Sequence, residues 1–184
     1  LENFRRAHPR VEINLDTGDA ADGIDQIKRQ KVDLAIAARP DELSSSIYFQ
    51  TIAQVPLSII TPTIDCQVKK SLLSDAVDWK SLPIILPEHG VARKRFESWF
   101  RQMHLGRPNV YAQVSGQEAL VSMVALGFGV GLSPNVVADN SPVKDLIDFL
   151  PNTKIPPFDL GLCCLKRNLK DPLVAGFLST IHKP

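Results

Sequence analysis

The alternation of apolar and polar positions divides the chain into strands and helices that follow one another in turn. Leu1, Phe4 and Ala7 recur at helical spacing, and Pro9 ends that helix. Val11-Glu12-Ile13-Asn14-Leu15 alternates at period two and predicts a strand. Asp16-Thr17-Gly18-Asp19 is turn-forming and offers an N-cap for a helix over 20–30, with Ile24 and Ile27 inward and Lys28 and Arg29 near its end. Val32 to Ala37 predicts a buried strand that runs into the loop Ala38-Arg39-Pro40-Asp41. Ile47 to Ala53 and Val55 to Thr61 predict two further strands, with Pro56 marking a bend or a sheet edge. Thr61-Pro62-Thr63 reads as a linker.

Beyond that linker the pattern restarts. Asp78 to Leu82 predicts a short helical turn and Pro83 to Leu86 a strand, followed by the loop Pro87-Glu88-His89-Gly90. Val91 to His104 is amphipathic, with Phe96, Trp99, Phe100 and Met103 on its inner face. Val110 to Val114 predicts a strand. Ser115-Gly116-Gln117-Glu118 has the form of a capping box, with Ser115 as cap and Glu118 reaching back. Its helix runs through Leu126 and stops at Gly127. Val130 to Pro134 predicts a short strand, Phe158 to Leu165 a long apolar one, and Asp171-Pro172 the cap and first residue of a last helix. This alternation predicts an α/β fold with mostly parallel sheets. The restart predicts two lobes, 1–60 with 162–184 and 61–161, joined by two crossover segments near 55–61 and 156–162.

Composition removes several classes. Of 184 residues, 44% are hydrophobic and 22% charged, which excludes disorder as the main content. The net charge of +1 argues against a nucleic-acid clamp, which needs clustered basic surface. No apolar run has the length of a membrane helix. The start at Leu1, without Met and without a signal-peptide pattern, reads as a chain entered mid-element. The 3 cysteines, Cys66, Cys163 and Cys164, make a poor disulfide framework and favour a reducing, cytoplasmic setting.

Four loops lie where an open α/β sheet receives its ligand: Ala38-Arg39-Pro40, Glu88-His89-Gly90, Ser115-Gly116-Gln117-Glu118, and the turn at Ser133. Helix starts at such loops present unsatisfied N–H groups and a positive dipole, so the expected ligand is a small carboxylate or similar anion. Arg39 and Arg93 are the two candidate charge partners. Gly127-Phe128-Gly129-Val130-Gly131 joins a helix to a strand, the reverse of a phosphate loop, and reads as a C-cap and close packing. There is no nucleophile elbow, no H-E-x-x-H, no Walker A and no G-x-G-x-x-G. The expectation is therefore a binding domain with no catalytic residue, metal ligand or cofactor. An acid–base pair at Glu88-His89 is the enzymatic rival, and a two-lobed solute-binding protein for small anions is the non-enzymatic one.

The order of elements also resembles a known family. Phe4-Arg5-Arg6-Ala7-His8-Pro9-Arg10-Val11, Asp33-Leu34-Ala35-Ile36, and Glu118 to Val121 through Gly127 to Pro134 resemble, in that order, segments of the effector-binding domain of LysR-type transcriptional regulators. The resemblance implies two Rossmann-like lobes of the periplasmic-binding-protein kind, with the first strand of lobe one missing here. It implies an inducer-sensing domain whose operator contacts lie in a winged helix-turn-helix absent from this chain. It further implies a homodimer through the first helix (1–8) and the 116–126 helix, and a tetramer of the full-length protein. A narrower likeness lies in Thr17 to Asp22, Asp33 to Ala37, Tyr111-Ala112 and Val121 to Gly127. It is similar to members that activate the acetohydroxy acid isomeroreductase gene of branched-chain amino acid synthesis. That likeness implies a 2-hydroxy-3-oxo acid inducer, acetolactate or acetohydroxybutyrate.

Overall fold

A computed structural model describes residues 1–74, 77–151 and 153–181. In chain order its elements are α1 (Glu2–Ala7), α2 (Gly23–Lys28), β1 (Ala35–Ala38), β2 (Ile47–Val55), β3 (Leu57–Pro62), α3 (Gln67–Leu72), β4 (Pro83–Pro87), α4 (Gly90–Gln102), β5 (Asn109–Val114), α5 (Gln117–Ala125), β6 (Val130–Pro134), α6 (Asn135–Asp139), β7 (Ile147–Phe149), β8 (Phe158–Leu165) and α7 (Pro172–Ser179). They form two units: Leu1–Gln54 with the segment from Asp159 onward, and Val55–Phe158. The first unit therefore stops at Gln54 rather than residue 60 and resumes at Asp159 rather than 162. The last three residues of its expected range, 182–184, lie outside the described residues.

The first unit holds a three-stranded sheet in the order β1-β8-β2. β1 runs antiparallel to β8, with Ala35 opposite Cys163. Ile24 and Ile27 of α2 are buried against Ala37, Ile47 and Cys163, as their helical spacing predicts. α7 opens with Pro172, and the Asp171 carboxylate accepts the Leu173 and Val174 N–H groups at 2.8 and 3.4 Å. Phe177 of that helix meets the ring of Phe4 at 5.1 Å, which anchors α1. Val11 to Leu15 is not a strand. It joins no sheet among the described residues, and Ile13 and Leu15 are 43% and 73% exposed. Period-two alternation becomes a strand only where a neighbour completes the ladder. α2 is also shorter than 20–30, because Asp19 accepts the Ala21 N–H at 2.8 Å in a local turn that delays the helix to Gly23.

The second unit holds a five-stranded sheet in the order β5-β4-β6-β3-β7. β4 is parallel to β5 and β6, whereas β3 is antiparallel to β6 and β7, so the sheet is mixed rather than mostly parallel. Thr61 and Pro62 are part of β3, opposite Asp148 and Ile147, and are not a linker. The short β7 supplies that pairing and has no legible pattern of its own. Leu120, Val121 and Val124 of α5 pack on Ile60 and Ile85 of the sheet. Gly131 permits this approach, since a Cβ there would lie 2.7 Å from Leu120 Cδ2. Phe96, Trp99 and Phe100 of α4 are buried as predicted, but Met103 ends the helix and is 55% exposed. Asp78 to Leu82 forms the expected turn, and hydrogen bonds from Ser81 and Lys80 hold the Asp78 carboxyl below its ordinary range.

α5 ends in a glycine cap. Gly127 has φ +81°, its N–H donates to Val124 O at 2.8 Å, and the Phe128 N–H donates to Met123 O at 3.2 Å. A Cβ at Gly127 would stand 3.1 Å from Cys66 Sγ. Gly127→Ala is expected to cost about 1–3 kcal/mol of stability, read as a lowered midpoint in urea unfolding with an unchanged slope.

Candidate functional site

Parallel pairing decides where the second unit can hold a ligand. Pro87 pairs with Val114, so β4 and β5 reach the same edge together, and β6 runs parallel beside β4. The segments holding Glu88, His89 and Gly90, and then Ser115, Gly116, Gln117 and Glu118, thus leave one edge of one sheet; Ser133, expected in a turn, instead lies within β6 opposite Ser58, near that same edge. Sequence order alone did not place them side by side.

α4, of 13 residues, takes extended His89 as its N-cap, and α5, of 9 residues, takes Gly116; no side chain caps either helix. The predicted capping box does not form. Gly116 has φ +89°, a left-handed conformation that suits glycine, and it occupies the cap position itself. α5 therefore starts at Gln117, one residue late. Ser115 falls outside the helix and Glu118 reaches only its second position, so the reciprocal bonds lose their spacing. Neither cap residue's side chain satisfies the first-turn N–H groups of its helix, and such groups favour an anion.

Other polar groups gather at this edge. Ser133 is fully buried, and its hydroxyl donates to Pro134 O at 3.2 Å. Gln117 Oε1 and Asn135 Oδ1 are buried acceptors with no hydrogen-bond partner among the described residues. Asn135 was not among the predicted site residues; its signal was its place directly after Ser133-Pro134. The Glu88 N–H donates to Val114 O at 3.0 Å. Glu88 and His89 are both exposed.

The two candidate arginines differ in their surroundings. Arg93 lies on the first turn of α4. Its Nε donates to Glu97 Oε1 at 2.9 Å, and its Nη1 to Pro87 O, Glu88 O and Gln113 Oε1 at 3.1, 3.1 and 2.8 Å. Arg39 belongs to the first unit with Ala38 and Pro40. Its N–H donates to Asp159 O at 2.8 Å, and the guanidinium lies 5.6 Å from the centre of the Phe49 ring. No acid pairs with it among the described residues.

Cys163 and Cys164 are strand residues buried in the first unit. Burial, with the adjacent Cys164, pushes the Cys163 thiol up to about 11, so it stays protonated at neutral pH. Among the described residues no group of three or more His, Cys, Asp or Glu side chains converges as a metal site would require, and no helix is long and apolar enough to cross a membrane.

Adjacent parallel strands β4 and β5, each running into a helix start, place both starts on one edge of the second unit's mixed sheet, the arrangement of a ligand-binding edge. The sequence model of the LysR substrate binding domain matches residues 1–183, and the chain belongs to that family. Within it, the chain is 44% identical over 183 residues to the HTH-type transcriptional activator IlvY of Haemophilus influenzae, covering 99% of this chain and 63% of that protein. It is 41% identical over 180 residues to the HTH-type transcriptional regulator IlvY of Escherichia coli K12, covering 96% of this chain and 61% of that protein. The chain thus spans somewhat under two thirds of the length of these relatives. Among solved structures it resembles the effector-binding domain of QuiR in complex with shikimate, with TM-score 0.76, 19% identity, and coverage of 97% of this chain and 84% of that one. It also resembles the regulatory domain of Synechocystis CcmR in complex with 2-PG, with TM-score 0.75, 17% identity, and coverage of 98% and 86%. These two likenesses confirm the α/β fold of LysR effector domains.

Proposed function

We propose that the chain is the inducer-sensing part of a cytoplasmic LysR-type activator of a branched-chain amino acid biosynthesis gene. Its inducer is a small 2-hydroxy-3-oxo acid, acetolactate or acetohydroxybutyrate, and the carboxylate is received at the carboxyl edge of the second unit's sheet. The observation that carries this reading is the pair of uncapped starts of α4 and α5 on adjacent parallel strands. The likeness to IlvY activators supports the choice of inducer. Operator DNA is contacted by a helix-turn-helix outside this chain. The protein acts as a tetramer, with effector domains paired through the 1–8 and 116–126 helices. Inducer binding shifts regulation by differing in affinity for two arrangements of the protein.

Isothermal titration of the full-length protein with acetolactate tests the reading, and no heat with acetolactate or acetohydroxybutyrate overturns it. Gln117→Glu gives a sharper form. The new carboxylate sits on the first turn of α5, where it repels an anion from the same N–H groups, while its burial offsets the gain from the helix dipole. The expected outcome is inducer binding about tenfold weaker, equivalent to ~1.4 kcal/mol, with no rise in melting temperature. Unchanged affinity would remove the carboxylate from this edge.

A further inference from the structure

We propose that Arg93 is a positioning residue, which staples the 87–90 loop to the end of β5 from which the 115–118 segment leaves, and not the partner of the inducer carboxylate. This rests on the inducer reading above and deepens it.

Nε and Nη1 of the side chain are already engaged by four acceptors of the protein. Its charge faces Glu97 at 2.9 Å, and its Nη1 spans two carbonyls of the β4–α4 loop and the amide of Gln113 on β5. Only 24% of the side chain is exposed. A bidentate grip on this guanidinium needs Nη2 together with Nε or Nη1, so an inducer carboxylate could take it only by displacing acceptors that would then lose their own partner. An arginine suits the staple because its planar fork donates in several fixed directions at once, which lysine cannot do.

The staple closes a ring across two strands. Gln113 lies opposite Leu86, and the next residue, Val114, accepts the Glu88 N–H at 3.0 Å. Arg93 therefore bonds to the loop on one side and to β5 on the other, and the loop bonds back to the last residue of β5. Two residues further on is Gly116, the cap of α5. Moving the start of α4 relative to β5 would break this ring, so the two helix starts are held as one rigid receptor. A binding constellation needs that kind of support, to within about 0.5 Å.

The experiment compares acetolactate with its methyl ester, which keeps the shape and lacks the charge, by titration of the full-length protein. Arg93→Gln and Gln113→Ala should each weaken acid and ester by the same factor, about tenfold. The double variant should bind no more weakly than Arg93→Gln alone, because both remove one staple. Arg93→Lys should fail to restore affinity. A loss confined to the acid, rescue by lysine, additive losses, or an unchanged affinity would each overturn the proposal. If Arg93→Gln does not fold, Gln113→Ala carries the acid–ester comparison alone. If the unaltered protein binds neither compound, the inducer reading fails while the staple remains testable. Amide exchange should then quicken at both 87–90 and 115–118 in Gln113→Ala, and quickening at neither would sink it.

Discussion

Phe96→Ala is expected to destabilise the second unit by about 3–5 kcal/mol. Phe96 is fully buried, with its ring 5.4 Å from that of Phe100 and 5.9 Å from that of Trp99. Trp99 in turn meets Trp79 edge-on at 5.1 Å. Truncation removes apolar area and leaves a void lined by rigid aromatic rings, which cannot collapse to fill it. A domain is stable by only about 5–15 kcal/mol, so the loss is a large share of the whole. Denaturant unfolding followed by tryptophan fluorescence checks it, since Trp99 borders the void and Trp79 packs edge-on against Trp99. Met103→Ala, at the exposed end of the same helix, should change stability by no more than about 0.5 kcal/mol. Equal effects of the two substitutions would contradict the assigned inner face of α4.

Gly161→Ala is expected to cost the first unit about 1–3 kcal/mol or more through overpacking. Gly161 lies on β8, opposite Ala37 of β1. A Cβ there would stand 2.2 Å from Phe49 Cε1 and 2.6 Å from Gln50 O. The ring can swing away, but the carbonyl is backbone and can retreat only by distorting the strand. The ring that must swing is the one on which the Arg39 guanidinium rests. Phe49→Leu in the same background should recover part of the loss, because the two substitutions share one volume and cannot be additive. Thermal unfolding of the single and double variants measures this, and full additivity would mean that Phe49 is not the neighbour that matters.

Two strand-to-helix junctions, at 88–90 and 115–118, were legible in outline, and helices do start there. Ser133, expected in the turn after a short strand, lies within β6. The finer roles were not legible. Ser115 and Glu118 carry the letters of a capping box, yet one left-handed glycine between them moves the helix start by a residue and undoes it. Arg39 and Arg93 were equivalent as sequence. They differ because β5 brings Gln113 beside Arg93, a neighbour twenty residues away that no local pattern announces.

What the sequence by itself determined is the set of strong local signals. These are the helix faces of Ile24 with Ile27 and of Phe96, Trp99 and Phe100, the Asp171-Pro172 cap, the glycine stop at 127, and the family. All but the family depend on residues within a few positions of one another, so they survive whatever the rest of the chain does; the family rests on the order of segments from Phe4 to Pro134. Only the tertiary structure decided whether an alternating segment became a strand. Val11 to Leu15 shows the pattern and forms no ladder, whereas Thr61-Pro62 looks like a linker and pairs with β7. A strand's hydrogen bonds are made to a distant partner, and a helix makes its own, which is why the longer helices were readable in advance, though the short α3 and α6 were not, and the sheet's membership, direction and edges were not.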